Sequence, residues 1–191
     1  MEDIKSIRVV QGKHQVEVIN NPTSYPLIGK GNQGAVFRIS SDKCVKIYGK
    51  PERARKEGDV LKVAQESPII PRLYEVGPNF IIMEYFEGPT LFQYLQSKGF
   101  ISDNMTKEIL FMLKEIKRLK FTRLDARMSH IIVTRQNGGK KLKVIDHYNS
   151  CTKIRSRPKE LFNDLKRLGM LPSFLKKLKN IDPESYAEWK D

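Results

Sequence analysis

LIGKGNQGAVF, Leu27 to Phe37, followed by KCVKIYGK from Lys43 to Lys50, decides how the chain reads. Gly29, Gly31, Gly34 and Val36 stand in a GxGxxGxV spacing. Glycines so placed let a hairpin lie close over phosphates, with backbone N–H groups exposed and no side chains in the way. Alone the spacing is weak, because glycines in a hairpin also serve a tight turn. Strand-like sequence on both sides favours a flap over the strand-to-helix turn of a dinucleotide fold. In KCVKIYGK, alternation puts Cys44, Lys46 and Tyr48 on one side and Val45 and Ile47 on the other. A mid-strand lysine is commonly a surface residue. Lys46, however, stands ten positions after Val36, the separation expected for the facing strand of one hairpin, within reach of phosphates under the glycines.

Outward from this stretch, Ser6–Val10 and Gln15–Asn20 alternate around QGK as a hairpin, and Ala35–Ile39 and Lys43–Tyr48 flank SSDK as another. Pro51 opens PERARKEGDVLKVAQES, a helix with proline in its first turn. Strands are expected at Arg72–Val76 and Asn79–Tyr85, separated by Gly77 and Pro78. The period then changes. Ser102 is a candidate N-cap for a helix from Asp103 to about Lys120, with Ile109, Leu110, Leu113, Ile116 and Leu119 on one face. Short strands at Ile131–Thr134 and Leu142–Ile145 surround QNGGKK, and short basic helices broken by Gly169, Pro172 and Pro183 follow from Pro158. The fold class expected is α+β.

With 191 residues the chain suits one folding unit, or two small lobes sharing a cleft. No window is apolar enough to span a bilayer, and MEDIKSIRVV does not read as a secretory signal, so a soluble, cytoplasmic protein without membrane contact is expected. Cys44 and Cys151 lack ligand or disulfide-framework spacing and read as free thiols. Net charge is +13, and residues 106–179 hold 20 Lys and Arg against 6 Asp and Glu. Such a field would attract acidic or phosphate-rich partners, nucleic acid included, yet the spacing also suits the wet faces of helices, and the interleaved aromatics of a single-strand-binding surface are missing.

On these motifs the chain resembles the protein-kinase superfamily over roughly residues 23–150. VKIY is similar to the lysine-bearing strand, Glu57 in RKEGDVLK to the helix glutamate that pairs with it, and FIIMEYFEGPTLFQYL to the last sheet strand, hinge and following helix. The resemblance implies a two-lobed kinase-like domain over residues 1–191: residues 1–86 as an N-terminal lobe of antiparallel sheet with one helix, residues 87–90 as hinge, and residues 91–191 as a reduced, mainly helical C-terminal lobe. It implies ATP with Mg²⁺ or Mn²⁺. Gly29, Gly31, Gly34, Val36, Cys44, Lys46, Met83, Glu84 and Phe86 would line the nucleotide site. Lys46, oriented by Glu57, would hold phosphates, and Asp125 in RLDARMSHIIV would take or orient the proton of the attacking hydroxyl, with Arg127 beside it. Asp146 in KVIDHY would hold the metal, with His130 where the family has asparagine.

Three departures stand out: His130 for asparagine, His147-Tyr148 for Phe-Gly, and Arg123-Leu124-Asp125 for His-Arg-Asp. Magnesium prefers oxygen ligands, so His130 either leaves a single-metal site, shifts preference toward manganese, or is a structural histidine. After Asp146 the usual activation segment and peptide platform are reduced, which resembles the small atypical branch with the Rio-type kinases and the small kinase of the KEOPS complex. That branch implies transfer to serine or threonine of a protein of unknown identity, or of the chain itself, with Ser150, Thr152 and Ser156 as nearby hydroxyls. The competing readings are a pseudokinase or ATPase-type switch, a module docking RNA or an acidic partner through its basic half, and a small-molecule kinase.

Overall fold

A computed structural model describes residues 3–122, 124, 126–136, 138–151, 154 and 156–190. The chain divides into two compact units, Met1–Glu66 with Pro71–Phe86, and Ser67–Ile70 with Glu87–Asp191. Among the described residues the architecture is mixed α and β, with antiparallel sheets and six α-helices.

In the first unit, β1 (Arg8–Gln11) and β2 (Val16–Asn20) form a hairpin. Strands β3 (Leu27–Lys30), β4 (Gly34–Arg38), β5 (Lys43–Tyr48), β6 (Leu73–Val76) and β7 (Phe80–Glu84) form an antiparallel sheet in the order β3-β4-β5-β7-β6. The expected first hairpin starts two residues late. The Asp3 carboxylate accepts the Lys5 N–H at 2.9 Å and caps a 3-10 turn over Ile4–Ser6, so Ser6 is not in the strand. The period of two in β4, β5 and β7 sends Ala35, Phe37, Val45, Ile47, Phe80 and Ile82 to one face. There they pack with Ile4, Ile7, Val9 and Val16 of the N-terminal segment. Each of the larger side chains contributes about 1.5–3 kcal/mol on full burial, which fixes the register. Helix α1 (Pro51–Val63), with proline at its start as expected, packs against β5, β6 and β7.

In the second unit, α2 (Leu91–Lys98) opens on a Thr90/Gln93 capping box. The Ser102 hydroxyl accepts the Met105 N–H and caps α3 (Asp103–Arg118), whose apolar stripe of Ile109, Met112, Leu113 and Ile116 is buried. Strands β8 (Ile131–Gln136) and β9 (Gly139–Val144) pair along their length, so the hairpin is longer and its turn shorter than QNGGKK suggests. Helices α4 (Lys159–Arg167), α5 (Leu171–Ile181) and α6 (Pro183–Trp189) follow, and Pro172 and Pro183 lie in first turns, where a missing N–H costs nothing. Several cations of this basic region face carboxylates: Lys117 meets Glu188 and Lys141 meets Glu108, both at 2.7 Å, and Lys177 bonds Asp103. Among the described residues no helix is long and apolar enough to cross a membrane.

Candidate functional site

In the first unit the ladder register gathers the expected residues. Gly29 opposes Val36, Val36 opposes Lys46, and Lys46 opposes Ile81. One step along, Arg38 opposes Cys44 and Cys44 opposes Met83. Directly opposed residues share a face, so Gly29, Val36, Lys46, Cys44 and Met83 lie on the face turned away from the N-terminal packing.

On that face Lys46 is buried, against the surface tendency of a mid-strand lysine. Its Nζ donates to Glu57 Oε2 on α1 at 2.7 Å, with the glutamate side chain only 1% exposed, and it stands 5.1 Å from the centre of the Tyr48 ring. Desolvating two charges offsets most of their attraction, so such a pair is a poor source of stability and a frequent mark of a functional site. Beside it, burial pushes the Cys44 thiol up to about 12, opposed by the charge of Lys46.

The glycines separate by cause. A Cβ on Gly34 would stand 2.6 Å from the Ile47 carbonyl oxygen, so strand packing alone demands glycine there. A Cβ on Gly31 would meet nothing within 4 Å. The fold leaves open space at Gly31, as close approach of a ligand to the backbone requires. At the end of β7 the Glu84 N–H donates to the Arg72 carbonyl, and the next N–H, of Tyr85, to the Asp42 carbonyl, both at 2.8 Å, so the Glu84 N–H already has an acceptor. The Glu84 carbonyl receives the Cys44 Sγ at 3.8 Å, and Phe86 is buried.

In the second unit, Asp146 follows β9 with φ +64°, a left-handed conformation that aspartate tolerates and most residues resist. The Ile145 N–H to His130 carbonyl bond of 2.9 Å brings the two segments together, and His130 Nδ1 lies 3.9 Å from Asp146 Oδ2. Asp125 lies outside the described residues. Arg127, largely exposed, has its Nε 3.7 Å from Glu160 Oε2, and the Met128 N–H donates to Asp164 Oδ2 at 3.2 Å. The sequence reading missed Glu160 and Asp164, whose four-residue separation on α4 is the available signal.

His147 is buried against Phe121, with ring centres 5.9 Å apart. Its Nε2 lies 2.8 Å from the Val144 carbonyl, which has only acceptor capacity and so keeps the proton on Nε2. Nδ1 then accepts from the Ser150 hydroxyl at 3.4 Å.

Among the described residues no three His, Cys, Asp or Glu side chains cluster as a metal cage. A magnesium ion that takes most of its ligands from phosphate and water needs only one or two carboxylates. The Asp146 carboxylate suits that role, whereas the His130 imidazole is a poor oxygen substitute.

No family model matches the sequence. The chain is 28% identical over 113 residues to a protein of Bacillus subtilis (strain 168) named "Putative serine/threonine-protein kinase YrzF". The match spans 56% of this chain and 53% of that relative, about half of each.

Proposed function

We propose that the chain is a minimal kinase that transfers the γ-phosphoryl group of ATP to a serine or threonine hydroxyl of a protein. The observation that carries this reading is the buried Lys46–Glu57 pair on the sheet face that also holds Gly29 and Val36. The likeness to a relative carrying a serine/threonine-kinase name supports it.

An ammonium has three donors, so Lys46 can hold Glu57 and a phosphate oxygen at once. Backbone N–H groups of the glycine-rich loop would add donors. Asp146 would hold the divalent ion, which offsets phosphate charge when bound. Asp125 would take the proton of the attacking hydroxyl as its oxygen bonds to the γ-phosphorus. The bond to the bridging oxygen then breaks, and ADP leaves. Ser150, Ser156 and Thr152, the last outside the described residues, are the candidate self-acceptors. A cytoplasmic setting, where ATP is supplied, goes with this activity.

Incubation with labelled ATP and Mg²⁺ or Mn²⁺ should yield phosphoserine or phosphothreonine. Lys46→Met and Asp146→Asn should each abolish it. Transfer that survives both changes rules the assignment out. A second reading, nucleotide binding without transfer, is favoured by the imidazole of His130 beside Asp146. Nucleotide-induced thermal stabilisation without turnover under either metal would select it.

A further inference from the structure

The tip of the glycine-rich loop is tied down from behind. The Gly31 carbonyl accepts the Val16 N–H of β2 at 2.9 Å, and the Asn32 carbonyl accepts Arg53 Nη1 of α1 at 2.8 Å. The Gln33 carbonyl accepts the Gly49 N–H at 3.1 Å. Arg53 Nη1 also donates to Gln11 Oε1 of β1 at 2.8 Å, so one guanidinium bridges the N-terminal hairpin and the loop. Gly49 lets the hairpin approach, since a Cβ there would stand 3.0 Å from the Gln11 nitrogen.

Consecutive carbonyls fixed in this way decide where the intervening N–H groups point. In a trans peptide the C=O of one residue and the N–H of the next are opposed across a rigid plane. No cis peptide occurs among the described residues. Fixing the Gly31 and Asn32 oxygens toward β2 and α1 therefore turns the Asn32 and Gln33 N–H groups the other way. Neither N–H has an acceptor among the described residues. Successive backbone donors in a turn, left without a protein acceptor, can take an anion.

We infer that the N-terminal hairpin and Arg53 form a built-in clamp that holds the glycine-rich loop in its anion-binding form, with Arg53 a positioning residue for the nucleotide phosphates. This rests on the nucleotide-binding reading above and adds a device to it. Arg53 lies one helical turn before Glu57, so α1 positions the loop with one side chain and Lys46 with another. The loop is organised before ligand arrives, which removes part of the ordering cost of binding.

The test compares ATP with adenosine, which lacks phosphates, by calorimetric titration in Mg²⁺. In Arg53→Met, ATP affinity should fall about ten-fold, the size expected for one charge-assisted hydrogen bond. Adenosine affinity should stay within about two-fold, a margin set by the ordinary effect of a surface substitution. Gln11→Ala keeps the charge of Arg53 and frees it from the hairpin, and should lose ATP affinity to an intermediate degree. Arg53→Lys should restore only part of the loss. An unchanged ATP-to-adenosine ratio in Arg53→Met and Gln11→Ala, with wild type binding ATP, overturns the clamp and leaves the proposed function standing. Full recovery in Arg53→Lys with a silent Gln11→Ala assigns the effect to bulk charge and also overturns it. A wild type that binds neither ligand removes both the proposed function and the clamp.

Discussion

Lys46 of β5 and Glu57 of α1 meet at 2.7 Å with both side chains at least nine-tenths removed from solvent. The pair joins the centre of the sheet to the helix beside it, and its chemistry differs from its contribution to stability. Removing one partner leaves a charge in a dry site, so Glu57→Ala should lower stability by about 3–5 kcal/mol. The double variant Lys46→Met/Glu57→Leu exchanges the ions for apolar groups and should return to within about 1–2 kcal/mol of wild type. It should nonetheless lose ATP binding. Urea unfolding with nucleotide titration of the same samples checks both; a stable double variant that still binds ATP at wild-type strength would contradict the role given to Lys46.

His130→Asn replaces the imidazole near Asp146 with an amide oxygen that suits magnesium. The rate with Mg²⁺ relative to Mn²⁺ should rise several-fold in this variant. Initial rates in each metal measure the ratio, and an unchanged ratio would assign His130 to loop structure.

The two thiols should differ sharply. Cys151 is exposed, while Cys44 is buried with its thiol pushed up to about 12. Thiolate is the reactive form, so a maleimide at pH 7.5 should label one thiol per native chain and two in denaturant. Rapid labelling of both thiols in the native state would contradict the packing of β5 against β7.

Acid should weaken the second unit through two depressed carboxylates. The Arg118 hydrogen bond first, with the Ser67 hydroxyl, holds Glu115 below the usual range, and Lys114 with the Ser185 N–H does so for Asp182. A carboxylate with a lower folded than unfolded pKa stabilises above the unfolded value, about 4.3 for glutamate, and loses that contribution as pH falls through the folded value. The contribution of these two carboxylates to the urea midpoint should therefore be flat from pH 7 to about 5 and decline below that range. The decline should be smaller in Glu115→Gln.

Much of the secondary structure was legible because its causes are local. Period two marked β4 and β5, Pro51 and Ser102 marked helix starts, and the glycine spacing marked the β3–β4 hairpin. The errors were local as well: Asp3 captured the Lys5 N–H and moved the first strand to Arg8, and strand pairing continued past Thr134 to Gln136.

The sequence by itself determined which elements form and which residue types stand at chemically useful spacings, since periodicity, caps and turn residues act within a few positions of one another. The tertiary structure decided the burial of Lys46, its pairing with Glu57, the bridge from Arg53 to Gln11 and Asn32, and the tautomer of His147. For the charged contacts of the first unit the reason is range. Lys46 and Glu57 are 11 positions apart, Arg53 and Asn32 are 21, and Arg53 and Gln11 are 42. Contacts over such separations depend on strand register and on the face α1 presents to the sheet, which are set when the core closes.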